Sequence, residues 1–263
     1  LSGGVGSRLW PLSRKSHPKQ YLPLFQEKSL FELTIQRNRP IADKLMVIGN
    51  RDNDHLSQEV LDKLDVNYLK IVEAVPRNTA AAIAFAALAV DENDILIVTP
   101  SDHLIEDMEA YQDAMKRAID LAKNDFIVTF GVQPTRPETG YGYIEHKGDK
   151  VISFREKPNH ITAQDFIEQG NFLWNSGMFC FKAKVLLKEL KKFEKEIYEK
   201  SMIAWEAAVN GELDEVLSMD IPSNSIDYAV MERSKKIKVV PAKFIWNDLG
   251  SFESLYDYFV MNG

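Results

Sequence analysis

LSGGVGSRLWPLSR, residues 1–14, opens the chain, and PKQ follows at residues 18–20. The glycines at positions 3, 4 and 6 favour a tight turn whose backbone N–H groups can approach phosphate oxygens. Arg8 and Lys19 add positive charge that can spread over a polyphosphate. The stretch is not a P-loop, because Gly-Lys-Ser or Gly-Lys-Thr occurs nowhere in the chain. It also lacks the third glycine of a dinucleotide fingerprint. By itself the turn could be an ordinary loop with solvated charges.

Downstream of this turn, short apolar runs alternate with helical patterns. Strands are predicted at 45–48, 68–72, 95–99 and 126–131, and helices at 53–64, 79–90 and 110–122. This alternation implies a parallel sheet covered by helices on both faces. The second half carries predicted strands at 141–146, 151–156 and 173–181 and charged amphipathic helices, notably one at 185–200. That half is predicted to be a mixed, partly antiparallel extension of the first.

One α/β domain therefore spans residues 1–263 in our prediction, with a mixed central sheet that is mostly parallel in its first half. The net charge of −7 makes DNA, RNA or an anionic membrane surface an unsuitable partner. Cys180, the one cysteine, lies in the apolar run 177–181 and is expected to be a buried hydrophobic residue. Without a disulfide, signal peptide or transmembrane stretch, a cytoplasmic protein is expected. Because the chain opens on Leu1 instead of Met, preceding residues are expected to be missing.

Two carboxylates stand out further along the chain. Asp102 follows Ser101 just beyond the apolar strand 95–99, at the strand end where α/β folds place their ligands. Asp248 lies far away in sequence, in WNDLGSF (residues 246–252). Two aspartates suffice for Mg²⁺, which takes its remaining ligands from phosphate and water. Each aspartate taken singly would be a loop or helix-cap residue.

The opening stretch resembles the N-terminal signature of the sugar-nucleotide pyrophosphorylases, in which Gly-Gly-x-Gly-Ser/Thr-Arg-Leu-x-Pro-Leu-Ser/Thr is followed closely by Pro-Lys. The resemblance extends from Leu1 to about Tyr256 and implies a Rossmann-like, glycosyltransferase-A-like fold. It implies that Arg8 and Lys19 act in catalysis by holding phosphates, and that Asp102 and Asp248 hold Mg²⁺. The nucleotide-binding residues that it implies are Leu1, Gly3, Gly4, Gly6, Asn78, Thr79, Ser101 and Asp102.

AVPRNTAAAI, residues 74–83, resembles the guanylyltransferase branch of this family. That likeness implies GTP and mannose 1-phosphate as substrates. Asn78 or Thr79 is also expected to be a helix N-cap, a role that is compatible with base recognition. Segments 138–144, 154–158 and 174–179 resemble sugar-site motifs of the family, so 1–135 is expected to be the nucleotide half and 136–263 the embedded sugar-binding lobe. Segment 225–232 resembles the same branch, and Asp227 there is expected to position its neighbours. The implied sugar-phosphate residues are Gly142, Glu156, Lys157, Asn175 and Gly177.

Three alternatives stay open at this point. The same chemistry could use UTP or dTTP with glucose 1-phosphate. The chain could be a non-catalytic regulatory subunit, although such a protein would be expected to lose some of Arg8, Lys19, Asp102 and Asp248. It could also be one part of a bifunctional enzyme that includes a mannose-6-phosphate isomerase domain, an activity that should not reside in these residues. A homo-oligomer is compatible with the sequence.

Overall fold

The computed structural model describes residues 1–4 and 9–262. The strands are β1 Leu45–Asn50, β2 Tyr68–Glu73, β3 Ile95–Val98, β4 Leu104–Glu106, β5 Ile127–Val132, β6 Tyr143–Lys147, β7 Lys150–Arg155, β8 Phe172–Lys182, β9 Ile237–Pro241 and β10 Ile245–Asn247. The helices are α1 Leu30–Asn38, α2 Asp54–Leu64, α3 Asn78–Leu88, α4 Met108–Lys123, α5 His160–Gln169, α6 Ala183–Phe193, α7 Lys195–Glu206, α8 Glu215–Met219 and α9 Phe252–Asn262. A 3-10 turn covers Lys19–Tyr21 and a π-helical turn covers Asp227–Met231.

The central sheet has six strands in the order β3-β8-β5-β9-β7-β6. The predicted mixed sheet is confirmed, but the expectation that the first half forms mostly parallel neighbours is wrong. Strand β8, from the second half, lies between β3 and β5 and is antiparallel to both. Among the described strands of the first half, β1 and β2 are the only parallel pair. The hydrophobic pattern predicts a buried strand equally well in either neighbourhood, so it could not reveal this insertion.

Alternating side chains give the six-stranded sheet two apolar faces. Ile127 and Val239 belong to the cluster that includes α3, α6 and α7, whereas their neighbours Val128 and Val240 pack with α4. Helix α3 is buried from Ala80 to Ala87, because small side chains let it lie close to both the sheet and the outer helices. The result is three layers, with helices on both faces of the sheet.

A break at Glu194 divides the single helix predicted at 185–200 into α6 and α7. Glu194 has φ −137° and ψ 64°, outside the helical region, and its N–H donates to Leu190 O at 2.7 Å. The amphipathic pattern continues through the break because both helices bury apolar residues, such as Leu190 and Ile197, in one cluster. The other predicted elements are confirmed, with ends shifted by one or two residues. No helix in the described ranges is long and apolar enough to cross a bilayer.

The first two residues connect the two-stranded sheet of β1 and β2 with the segment that follows β3 of the central sheet. The Leu1 amine donates to Thr99 O at 2.8 Å, and Ser101 N–H donates to Leu1 O at 3.0 Å. Ser2 N–H donates to Ile48 O in β1 at 2.7 Å. The glycine-rich turn therefore begins beside β1 and beside the segment that follows β3, which is the segment that carries Asp102.

Candidate active site

The ribbon formed by β4 and β10 brings the two predicted metal aspartates to one place. Asp102 precedes β4 by two residues, and Asp248 directly follows β10. The strands are antiparallel, with Asn247 opposite Leu104, so both aspartates leave the same end of the ribbon. Residues separated by more than a hundred positions in sequence thus become neighbours.

Lys19 joins these two segments. Its ammonium Nζ lies 3.1 Å from Asp102 Oδ2 and donates to the carbonyl oxygens of Asp248 at 2.5 Å and Leu249 at 3.3 Å. An ammonium has three N–H donors, so these three acceptors account for all of them. The Lys19 side chain is only 6% exposed, whereas that of Asp102 is 39% exposed. A phosphate that binds Lys19 would therefore have to replace one of these three acceptors.

Three aromatic side chains, those of Tyr141, His103 and Trp246, lie beside the aspartates. The sequence alone did not single them out. Tyr141 O–H donates to Asp248 Oδ1 at 2.6 Å, and the Trp246 indole N–H donates to His103 Nδ1 at 3.2 Å. The other ring nitrogen of His103, Nε2, lies 3.6 Å from Asp102 Oδ1. The Tyr141 ring meets the ring of Trp246 edge-on, with centroids 5.3 Å apart.

Burial and neighbouring charges shape the protonation of this group. Although the Asp102 side chain is 39% exposed, the packing around it removes water and opposes ionisation, yet His103 and Lys19 hold the pKa of its carboxyl below the usual range. Burial lowers the pKa of His103, an effect that the charge of Asp102 opposes. Burial and the adjacent Asp248 carboxylate raise the pKa of Tyr141 far above its ordinary value, so its hydroxyl keeps its proton. Near neutral pH Asp102 is therefore an anion and Tyr141 is a donor.

Two amide side chains hold the opening turn by its carbonyl groups. Gln20 Nε2 donates to Ser2 O at 3.0 Å and to Gly4 O at 2.8 Å, and Asn50 Nδ2 donates to Gly3 O at 3.0 Å. Within the described part of the chain, the N–H groups of Gly3 and Gly4 have no acceptor. The turn thus presents free N–H donors, which suit phosphate oxygens. Of the predicted nucleotide and phosphate residues, Gly6 and Arg8 lie outside the described residues.

Glu73, at the end of β2, lies beside this turn and was not predicted from the sequence. It is 5% exposed, its Oε1 has no hydrogen-bond partner among the described residues, and its Oε2 lies 3.5 Å from the position of a Cβ added to Gly3. Burial raises the pKa of Glu73 to about 7, against the opposing effect of a hydrogen bond from the backbone N–H of Arg77. A buried carboxylate with an unused oxygen is costly in a fold and points to a ligand.

The predicted residues at the start of α3 adopt an arrangement different from the expected N-cap. Arg77 occupies the N-cap position without a side-chain cap bond, and Asn78 lies inside the helix with φ +69°. Asn78 Oδ1 accepts from Thr79 N–H at 2.8 Å, while Thr79 Oγ1 accepts from Ile226 N–H at 2.9 Å. Thr79 thereby ties α3 to the segment that leads into the π-helical turn.

Asn175, on β8, is the centre of a second polar cluster. Its Nδ2 donates to Asp227 Oδ1 at 2.9 Å, and its Oδ1 accepts from Thr129 Oγ1 at 3.0 Å and Gly177 N–H at 3.2 Å. Burial and the nearby Glu156 raise the pKa of Asp227 to about 6. The side chain of Asn175 is thus fixed, with one N–H left for a ligand.

Glu156 and Gly142 lie next to this cluster. Glu156 Oε1 accepts from Lys157 Nζ at 2.5 Å, whereas its buried Oε2 has no partner among the described residues. A Cβ on Gly142 would lie 2.5 Å from that Oε2, so the absence of a side chain there leaves room beside the carboxylate. Gly177 has φ +71°, and an added Cβ would lie 3.8 Å from His103 Cε1. The predicted sugar residues therefore adjoin the segment that carries Asp102.

A family model described as "Nucleotidyl transferase" matches residues 1–261. The chain belongs to the nucleotidyl transferase family. The xanthan biosynthesis protein XanB of Xanthomonas campestris is 44% identical over 276 residues, which cover all of this chain and 59% of that protein. A mannose-1-phosphate guanylyltransferase of Salmonella muenchen is 43% identical over 98% of this chain and 58% of its own length. The chain thus spans somewhat more than half of these curated relatives.

A solved structure titled mannose-6-phosphate isomerase, from Helicobacter pylori, is also similar to this nucleotidyl transferase. It shares 42% identity at a TM-score of 0.85, over 88% of this chain and 96% of that chain. The fold described above is therefore the fold of this family.

Nucleotidyl transferases generally use a divalent metal ion, and the donor set of this member fits one. Asp102 and Asp248 supply hard carboxylate oxygens, and Asp248 Oδ2 receives no hydrogen bond from the described residues. Among the described residues, no group of three or more His, Cys, Asp or Glu side chains is placed to bind a metal ion. Two carboxylates with room for phosphate oxygens suit an ion that arrives with a nucleotide.

Cys180 is buried, as expected, and burial raises its pKa to about 12.

Proposed function

We propose that this chain transfers GMP from GTP to mannose 1-phosphate, giving GDP-mannose and pyrophosphate. The observation that carries the proposal is the convergence of Lys19, Asp102 and Asp248 beside the glycine-rich turn. The Salmonella muenchen relative, named as a mannose-1-phosphate guanylyltransferase, supports this choice of substrates. Because the chain covers only part of its relatives, the proposal concerns the reaction of this segment.

In this reaction a phosphate oxygen of mannose 1-phosphate attacks the α-phosphorus of GTP in line. The new O–P bond forms as the bond to the β-phosphate oxygen breaks, and pyrophosphate leaves with that electron pair. The nucleophile is already an anion, so no general base is needed and catalysis consists of positioning and charge neutralisation. Mg²⁺, held by Asp102 and Asp248, would supply positive charge to the phosphates when bound.

Within the protein, the N–H groups of Gly3 and Gly4 would meet phosphate oxygens. Arg8 and Lys19 would stabilise the charge that develops on the α-phosphate and the leaving group. Leu1 and Ser101 would shape the adjoining part of the nucleotide site through the backbone bond between them.

Glu73 offers a physical basis for guanine selectivity. Guanine presents two neighbouring donors, N1–H and the 2-amino group, and an ionised carboxylate is an acceptor pair of matching geometry. Uracil and thymine place a single N–H between two carbonyl oxygens, and adenine places an acceptor nitrogen beside its amino group, so each would set an acceptor against the carboxylate. Asn78 and Thr79 would border the base from the start of α3.

The second polar cluster supports a mannose 1-phosphate site in the lobe 136–263. The free N–H of Asn175 and the unpartnered Oε2 of Glu156 can bind sugar hydroxyls, and Lys157 can bind the sugar phosphate. Gly142 and Gly177 would let the sugar approach the backbone closely. Residues 1–135 would then be mainly the nucleotide half.

Pyrophosphate release tests the proposal when it is measured for four nucleoside triphosphates against mannose 1-phosphate and glucose 1-phosphate, with Mg²⁺. We expect GTP with mannose 1-phosphate to give the highest kcat/KM, and Asp102→Asn provides the background rate. Preference for UTP or dTTP with glucose 1-phosphate would show the alternative nucleotidyl transfer. Binding of GDP-mannose without turnover of any pair would show a regulatory subunit.

A further inference from the structure

Tyr141, His103 and Trp246 form a continuous aromatic connection between the two aspartates. We infer that they are positioning residues, which hold the carboxylates of Asp248 and Asp102 in the orientation that receives a divalent ion. This inference rests on the proposed function, because it takes those two carboxylates to be the metal ligands.

The Asp248 carboxylate is fixed through one oxygen. Its Oδ1 accepts from Tyr141 O–H at 2.6 Å and from Gly250 N–H at 3.1 Å. Both donors use the same oxygen, so the described residues leave Oδ2 without a hydrogen bond. The Tyr141 ring meets Trp174 and Trp246 edge-on, with centroids 5.2 and 5.3 Å away. These ring contacts fix the position of the Tyr141 hydroxyl. Its hydrogen bond therefore favours one rotamer of the Asp248 side chain.

Each oxygen of the Asp102 carboxylate has a neighbour. Lys19 lies 3.1 Å from Oδ2, and His103 Nε2 lies 3.6 Å from Oδ1. An indole N–H can only donate, so the bond from Trp246 makes His103 Nδ1 an acceptor and leaves the imidazole proton on Nε2, facing Asp102. This tautomer assignment follows from the chemistry of the donor.

Trp246 connects the two halves of the arrangement. Its N–H fixes His103 and its ring packs against Tyr141, while β10 places it two residues before Asp248. Opposite it, on β4, stands Ile105. Outer groups that orient metal ligands typically change metal affinity by 10–100-fold when removed. A carboxylate already held in its binding orientation loses less freedom when the ion binds.

The test titrates Mn²⁺ into the full chain saturated with GDP-mannose, whose phosphates supply the ligands that two carboxylates leave open, and follows binding by electron paramagnetic resonance. Tyr141→Phe removes only the hydroxyl that holds Asp248, and Tyr143→Phe is the matched control because its hydroxyl donates to Glu138 O instead. We expect Tyr141→Phe to weaken Mn²⁺ binding about 10–100-fold and Tyr143→Phe to leave it unchanged. In kinetics, the Mn²⁺ activation constant should rise with Tyr141→Phe, while kcat at saturating Mn²⁺ stays close to that of the parent.

Trp246→Phe keeps an aromatic ring but removes the N–H that fixes His103, and it should also weaken Mn²⁺ binding. Thermal unfolding shows whether Tyr141→Phe folds. If it does not fold, the Mn²⁺ affinity of Trp246→Phe tests the inference in its place. Wild-type Mn²⁺ affinity in the folded variants would overturn the inference. Asp248→Asn separates this failure from that of the proposed function. If Asp248→Asn abolishes binding and Tyr141→Phe does not change it, only the positioning role is wrong. If Asp248→Asn also binds normally, the metal assignment itself fails.

Discussion

Replacing Glu73 by Gln should stabilise the protein in a strongly pH-dependent way. Glu73 is buried, and burial raises the pKa of its carboxyl from 4.5 to about 7. The folded state therefore binds a proton more readily than the unfolded chain does. Between pH 4.5 and 7 folding takes up a proton, so the stability of the parent protein falls as pH rises through this window. Glutamine keeps the shape of the side chain and has no charge to bury.

The size of the effect follows from the shift. One pKa unit corresponds to 1.36 kcal/mol, so a shift from 4.5 to about 7 makes the ionised state cost about 3 kcal/mol above pH 7. Most of this cost develops between pH 5 and pH 8, where the advantage of Glu73→Gln over the parent should grow by roughly 2.5 kcal/mol. Other titrating groups are common to both proteins and cancel in the difference.

Guanidinium unfolding of both proteins at several pH values from 5 to 8 measures this difference directly. A difference that stays flat across the range would refute the argument that Glu73 is ionised at a cost. The same variant should lose roughly one to two powers of ten in its preference for GTP, because an amide cannot accept two neighbouring donors. Together the two results would mark a residue that is kept for its ligand at the expense of stability.

Three further predictions concern the remaining site residues. Asp102→Asn and Asp248→Asn should each lose most activity while the circular dichroism spectrum stays unchanged. A chelator that removes the divalent ion should inactivate the parent protein in the same way. Full activity in both variants would show that the ion is bound elsewhere. Lys19→Met removes the cation beside Asp102, so kcat should fall by roughly one to two powers of ten. The melting temperature should fall as well. A normal kcat in this variant would show that Lys19 is needed only for the structure. Asn175→Ala should raise the KM for mannose 1-phosphate by a similar factor with little change in the KM for GTP, and the opposite pattern in steady-state kinetics would contradict the division into a nucleotide half and a sugar half.

Local patterns in the sequence predicted the individual elements of this fold well. Short, largely apolar runs predicted β1, β2, β3 and β5, because strands that pack against other elements need mostly apolar side chains. The position of β8 between β3 and β5 was not predictable, since strand order depends on long-range pairing. The break at Glu194 was hidden for a related reason, because the amphipathic period continues across it.

The candidate site shows the same division between local and long-range information. The glycine-rich turn and the strand-end position of Asp102 led to the site from sequence. Glu73 ends an ordinary strand pattern, and nothing local distinguishes it from a solvated glutamate. Its burial arises from the opening turn and Arg77 packed around it. Tyr141 likewise gains its role only because the ribbon places Asp248 within 2.6 Å of its hydroxyl.

The fate of the α-phosphate of GTP distinguishes nucleotidyl transfer from transfer of the terminal phosphate. The chain is incubated with Mg²⁺, mannose 1-phosphate and GTP labelled at the α-phosphate, and the products are separated by chromatography. We expect the label to appear in GDP-mannose, with one pyrophosphate released for each GDP-mannose formed. We expect Asp102→Asn and Asp248→Asn to abolish this transfer. Transfer of the terminal phosphate would instead leave the label in GDP. That result would contradict nucleotidyl transfer at this site.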